Sequence, residues 1–121
     1  MAAAGVSVWK SRGVLETTWS GLGITAGATS GAALDAPALP DKTVQVKGTF
    51  AGGTVVIEGS NDGGTTYHTL NDSRGEGNAL SLTTADTRTI LENPGLIRPR
   101  LTTASGATSI TVVVYSQSTR R

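Results

Sequence analysis

The stretch from Thr43 to Ser116 is a series of short runs in which apolar and polar side chains alternate, punctuated by glycine, asparagine and aspartate. That alternation has the period of a strand with one buried face, and the turn residues recur too often for helices of ordinary length. In Thr43–Phe50, Val44, Val46 and Phe50 fall on one face and Gln45, Lys47 and Thr49 on the other. Ala51-Gly52-Gly53 then turns the chain, because glycine accepts the positive φ of tight turns. Thr54–Gly59 points Val55 and Ile57 inward and Glu58 outward, and Ser60-Asn61-Asp62-Gly63-Gly64 is the strongest turn signal in the chain. Thr65–Leu70 reads as a strand with Tyr67 and Leu70 in the core, and Asn71–Asn78 as a polar loop.

Weaker strands are expected at Ala79–Thr83, Thr87–Leu91 and Leu96–Thr102, the last at an edge or bulged because Pro99 has no N–H for the ladder. In Ser109–Ser116, Ile110, Val112 and Val114 share one face while Val113 and Tyr115 lie on the other, so this strand is apolar on both sides. Val14–Ser20 brings the count to about eight. The expected fold is all-β, an antiparallel β-sandwich forming a single domain.

Composition agrees. Gly, Ser and Thr supply 46 of 121 residues, so good helix formers are scarce. A net charge of +1 argues against nucleic acid held by a broad basic surface. The chain has no cysteine, which excludes disulfides and thiolate chemistry and fits maturation in a reducing cytosol. No apolar run is long enough for a transmembrane helix, so no membrane partner is expected.

Residues 1–42 differ in texture. They are rich in Ala and Gly and read as an irregular N-terminal arm with the first strand or strands, leading into a body at 43–121. An arm, a swapped strand and an integral part of the sandwich all fit. Trp19 reads as a cap on the core. Trp9 has little nearby to pack against and suits an interface, where aromatic side chains act as anchors. Ala2 to Arg12 is therefore expected to order only on a partner, with Val6, Val8 and Trp9 supplying apolar contact and Lys10 and Arg12 pairing with acidic groups.

Residues able to do chemistry are sparse. His68 is the single histidine, and without a partnered nucleophile it reads as a surface strand residue. Asp62, Asn71, Asp72, Glu76 and Asn78 are oxygen donors in loops, but their spacing does not match a calcium loop and they read as turn-forming, solubilising side chains. No catalytic residue, cofactor site or metal site is assigned, and the protein is not expected to be an enzyme. Arg98 and Arg100 share one side of a strand and either grip a carboxylate or phosphate, or form a solvated face or a salt bridge to a neighbour. The apolar outer face at Val113 and Tyr115 implies a homo-oligomer, a dimer first and a trimer as the alternative.

The runs Thr43-Val-Gln-Val-Lys-Gly-Thr-Phe50, Thr54-Val-Val-Ile-Glu-Gly-Ser-Asn-Asp-Gly63 and Tyr67-His-Thr-Leu70 resemble small structural proteins of tailed phages. So do Leu91-Glu-Asn-Pro-Gly-Leu-Ile-Arg-Pro-Arg100 and Gly106-Ala-Thr-Ser-Ile-Thr-Val-Val-Val114. The resemblance is to capsid decoration proteins, also called cement or head-stabilising proteins. It covers about residues 43–116 and implies a jelly-roll-like sandwich. It also implies binding to the major capsid protein on the outer surface of the virion, after assembly in the host cytoplasm. The Gly59-Ser-Asn-Asp-Gly63 turn also resembles galactose-binding-like sandwiches of the discoidin type, which implies a carbohydrate-binding tail or adhesin module as the alternative. The residues expected to meet the capsid are Val6, Val8, Trp9, Lys10 and Arg12, then Arg98 and Arg100.

Overall fold

The computed structural model describes residues 2–74 and 78–118. Among these, eleven strands occur and no helix. The strands are β1 (Ala2–Ala3), β2 (Val6–Ser11), β3 (Val14–Leu22), β4 (Ser30–Gly31), β5 (Asp41–Thr49), β6 (Thr54–Ser60), β7 (His68–Thr69), β8 (Ser81–Leu82), β9 (Asp86–Thr89), β10 (Leu96–Thr103) and β11 (Ser109–Gln117).

They form two sheets. One runs β2-β3-β11-β5-β9, and the other β1-β4-β10-β6-β7 with β8 also pairing β6. Every named pairing is antiparallel except β1 with β4. With β1 and β2 set aside, the strands follow the double Greek-key order of a jelly roll, the chain changing sheet at every step except from β6 through β7 to β8. The all-β sandwich expected from the alternation is thus the fold.

Alternation also places the core. Leu15 and Trp19 of β3, Val44 and Val46 of β5, Val55 and Ile57 of β6, Ile97 and Leu101 of β10, and Ile110, Val112 and Val114 of β11 all turn to the space between the sheets and are buried. Phe50, expected on the Val44 face, is only partly buried. β5 ends one residue earlier, after Gly48 takes a φ of 117° against the Ser109 carbonyl.

The first 31 residues correct the expectation of an irregular arm. They supply β1, β2, β3 and β4, and β5 already begins at Asp41, across the expected boundary at 42/43. Arg12-Gly13 forms a two-residue turn that folds β2 back on β3, with Gly13 at a φ of 75°. Trp19 locks this zone to the body. Its indole is fully buried, and Nε1 donates to the Ala32 carbonyl at 2.9 Å. A Cβ at Gly31 would lie 2.5 Å from the Trp19 ring, so only glycine lets β4 approach it.

Pro99 lies inside β10 rather than on a free edge, and the bulge falls later, between Leu101 and Thr103. Ile97 N–H donates to Leu34 O at 3.0 Å and Leu101 N–H to Thr29 O at 2.7 Å. The proline stands between these donors, on the side of the strand where the ladder toward β4 is interrupted. Its missing N–H therefore leaves no gap in an otherwise continuous ladder.

Candidate functional site

The four sheet edges differ in how they are protected. β1 and β7 are two residues long. β9 is covered by the 71–74 loop. Ser73 N–H donates to Thr89 O at 2.8 Å, and Leu91 N–H donates to Asn71 O at 2.9 Å.

The Asp72 carboxylate pins that loop. It accepts from Arg74 N–H at 2.9 Å, Asn78 Nδ2 at 2.6 Å and Arg88 at 2.9 Å. Burial pushes the Asp72 carboxyl up, but these donors outweigh it and hold the group below the ordinary carboxylate range. Asp72 was expected to be a solubilising loop residue. It is 1 % exposed and serves as an internal clamp. Glu76 lies outside the described residues.

β2 is the exception. All six of its residues are exposed, with Val6 at 63 %, Val8 at 48 % and Trp9 at 62 %. It carries no proline, and its single charge, Lys10, lies 4.0 Å from Glu16 of β3. Register fixes the side-chain directions. Val6 pairs with Thr18 and Val8 with Glu16 on the outer face, while Ser7 pairs with Thr17 and Trp9 with Leu15 on the core side. The Ser7 and Thr17 hydroxyls are 2.8 Å apart. Trp9 thus belongs to the inner face by register, yet it is exposed because the opposite sheet ends at β1 and does not extend beneath it. The strand is held at both ends, by β1 pairing with β4 and by the Arg12-Gly13 turn. It is a preformed edge, not a segment that waits for a partner to order it.

Val113 and Tyr115 sit on the outer face, but β11 lies between β3 and β5. Val113 is flanked by Thr18 and Gln45, and Tyr115 by Glu16 and Thr43, so both are half-buried. The exposed large apolar side chains on the strands of this sheet are Val6, Val8 and Trp9 of β2, not Val113 and Tyr115 of the last strand.

Arg98 and Arg100 project from the outer face of the other sheet onto Glu58. Arg98 Nε donates to Glu58 Oε1 at 2.8 Å, and Arg100 Nε to Glu58 Oε2 at 3.1 Å. The Arg98 guanidinium also stacks 3.8 Å from the centroid of Tyr67. Tyr67, expected in the core, is instead a surface platform for this cation. Glu58 points outward as its alternation requires, and the two arginines bury it to 3 % exposure. Of the sequence readings for this pair, an anion grip, a solvated face or a salt bridge, the salt bridge is the arrangement observed.

His68 is exposed and lines an open cleft of about 620 Å³ with Asp62, Thr66, Glu92 and Pro94. The carboxylates there are already engaged. Asp62 Oδ1 accepts from the Ser60 hydroxyl at 2.7 Å and Thr66 N–H at 2.8 Å, which hold it down to about 2. Glu92 accepts from the Asn71 backbone at 2.8 Å and its side chain at 2.7 Å. None of the cleft-lining residues is Phe, Tyr or Trp.

Sequence reasoning missed one internal group, Lys42. It is 1 % exposed, and its Nζ donates to Ala36 O at 2.9 Å, Leu39 O at 2.8 Å and Asn93 Oδ1 at 2.5 Å. Desolvation brings its ammonium down from 10.5 to about 8. The signal was available, since Lys42 shares the even-numbered register of Val44 and Val46.

No family model matches the chain, and no curated protein matches it in sequence. Among solved structures it is similar to the SPBc2 prophage-derived protein YomS, with a TM-score of 0.55 over 85% of this chain and 93% of that chain. The identity is 14%, so what the two chains share is the fold.

Proposed function

We propose that this protein is a non-catalytic structural component of a tailed-phage particle. In this reading it binds the outside of the capsid and bridges adjacent major capsid protein subunits. The observation that carries the reading is the contrast among the four edges: three are short or covered, while β2 presents Val6, Val8 and Trp9 on a strand paired along its length with β3. Long apolar edges invite aggregation unless a partner uses them. The prophage source of the similar YomS structure supports a phage setting. The resemblance of residues 43–116 to decoration proteins points to the head.

A carbohydrate-binding role is less well supported. Such a site needs exposed aromatic faces beside polar groups, yet Tyr67 is stacked on Arg98 and the His68 cleft is lined by no Phe, Tyr or Trp. Trp9 is the anchor in the favoured reading, with Lys10 and Arg12 beside it for acidic capsid groups. Burying a Trp side chain in a partner's pocket contributes about 2–4 kcal/mol, and many copies add through multivalency.

The test mixes shells lacking this protein with the intact chain, with Trp9→Ala and with Arg98→Ala, and measures bound stoichiometry after sedimentation. Trp9→Ala is expected to lower retention about tenfold or more, and Arg98→Ala to change it little. Equal retention of the intact chain and Trp9→Ala would remove β2 as the anchor. Failure of the intact chain to bind any shell would remove the capsid reading.

A further inference from the structure

We propose that β2 pairs edge to edge with β2 of a second copy, antiparallel about a two-fold axis at Val8, joining two five-stranded sheets into one of ten strands. The bridging role proposed above gives this pairing a use, since the pair presents two Trp9 side chains, one from each copy, where one chain presents one. The pairing itself rests only on the geometry of the strand.

Three features select a second copy as the occupant. An antiparallel strand is its own complement, because a two-fold axis brings its unpaired N–H and C=O groups against the same groups of its copy. Side-chain parity then restricts the register. Continuing the sheet with both outer faces on one side requires some residue of β2 to face itself, and the candidates are Ser7, Val8 and Trp9. An axis at Trp9 places the irregularity between Trp9 and Ser11 beside the axis. An axis at Ser7 keeps only Val6 to Val8 within the strand. An axis at Val8 pairs the whole run from Val6 to Lys10.

Charge is the third feature. With Val8 on the axis, Lys10 lies opposite Val6 of the second copy and never opposite another lysine, and its own Glu16 remains beside it. The outer stripe of Val6 and Val8 becomes continuous with its copy. On the inner side, Trp9 lies opposite Ser7 of the second copy, so the two Trp9 rings flank the axis. They form a single aromatic patch that one chain alone cannot make. Because β2 is already tied at both ends, little backbone freedom is lost on pairing.

The absence of cysteine from the chain makes the register directly measurable. Cross-strand Cα atoms at a self-facing position lie about 4.5–5.5 Å apart, within disulfide range. Sedimentation equilibrium of the full chain is expected to give twice 12.3 kDa. On mild oxidation Val8→Cys is expected to become a covalent dimer. Val6→Cys, displaced from its copy by four residues or about 13 Å along the strand, is expected to stay uncrosslinked. Val8→Lys, which sets two ammonium groups face to face, is expected to weaken dimerisation about tenfold. Its thermal unfolding at low concentration, where the chains are dissociated, is expected to be unchanged because Val8 is exposed in the single chain.

A monomer at high concentration, or a trimer, would overturn the pairing. So would a Val8→Cys chain that stays uncrosslinked while Val113→Cys crosslinks, which would move the contact to the sheet face. None of these measurements involves a shell. Loss of capsid binding with an intact dimer would therefore count against the proposed function alone.

Discussion

Trp9 and Trp19 lie on neighbouring strands of one sheet and point to the same side of it, yet one is 62 % exposed and the other 0 %. Residue type and register are the same for both. The difference is what lies opposite. Beneath β3 the second sheet provides β4, with Gly31 cut back to admit the indole and the Ala32 carbonyl placed to receive its N–H. Beneath β2 the second sheet has ended. Alternation assigns a side chain to a face, but burial also needs a second layer, and the width of that layer is set by the strands of the other sheet.

The strongest test of this contrast is Trp19→Ala. Removing a fully buried indole leaves a cavity between the sheets and is expected to cost about 3–5 kcal/mol, read by chemical denaturation. The loss should be accompanied by release of the first zone, detectable as faster amide exchange in residues 2–11. A cost below about 1 kcal/mol would mean that β3 and β4 are not held together by this side chain.

The same contrast applies to the lysines of this sheet. Lys42 faces inward and has three oxygen acceptors, whereas Lys10 sits on the open strand with a half-exposed side chain. Lys42→Met strands two carbonyls and the Asn93 amide oxygen and is expected to cost about 2–4 kcal/mol, while Lys10→Met is expected to stay within about 0.5 kcal/mol. Burial penalises the charged form of Lys42, so the folded chain releases its proton near pH 8 while the unfolded chain keeps it to about 10.5. Stability from this group therefore rises with pH between those values, by about 1–3 kcal/mol, and is absent below pH 8. Denaturation at pH 7 and pH 10 would show the rise in the wild type and not in Lys42→Met. An equal response in both would assign the pH dependence to other groups.

Each of the eight expected strands has a counterpart, but Thr65–Leu70 shrinks to β7 (His68–Thr69) and Ala79–Thr83 to β8 (Ser81–Leu82), while the strands with a clear period-2 pattern, such as β5, β6 and β11, keep nearly their expected length. The three others, β1, β2 and β4, all lie in residues 2–31. β2 was legible in principle, since Val6 and Val8 alternate up to an Arg12-Gly13 turn and Leu15, Thr17 and Trp19 alternate after it. β1 and β4 were not, because their pairing depends on each other and on β10, some seventy residues later in the chain. Lys42 was readable by parity, but a lysine among valines contradicts the usual burial order, and its acceptors come from the 36–39 turn and from Asn93. Tyr67 followed the general rule that aromatics are buried, while the Arg98 that occupies its ring is supplied from a different strand. For β4 and for Tyr67, what alternation misses is a partner distant in sequence.

The smallest expected effect on stability completes the comparison. Trp9→Ala removes as large a side chain as Trp19→Ala, from a position on the same face of the same sheet. The indole is already largely in water, so little apolar area returns to solvent on unfolding. The ladder between β2 and β3 is made by main chain and is untouched. The Ser7–Thr17 contact and the Gly13 turn still fix the register. The expected change is within about 0.5 kcal/mol for the dissociated chain, measured by denaturation at low concentration, where a second copy contributes nothing. At high concentration, where two copies pair, the aromatic patch flanking the axis is lost, and the midpoint is expected to fall for Trp9→Ala relative to the wild type. A concentration-independent loss above about 1 kcal/mol would show that Trp9 packs within its own chain. β2 would then be a buried edge rather than an open one.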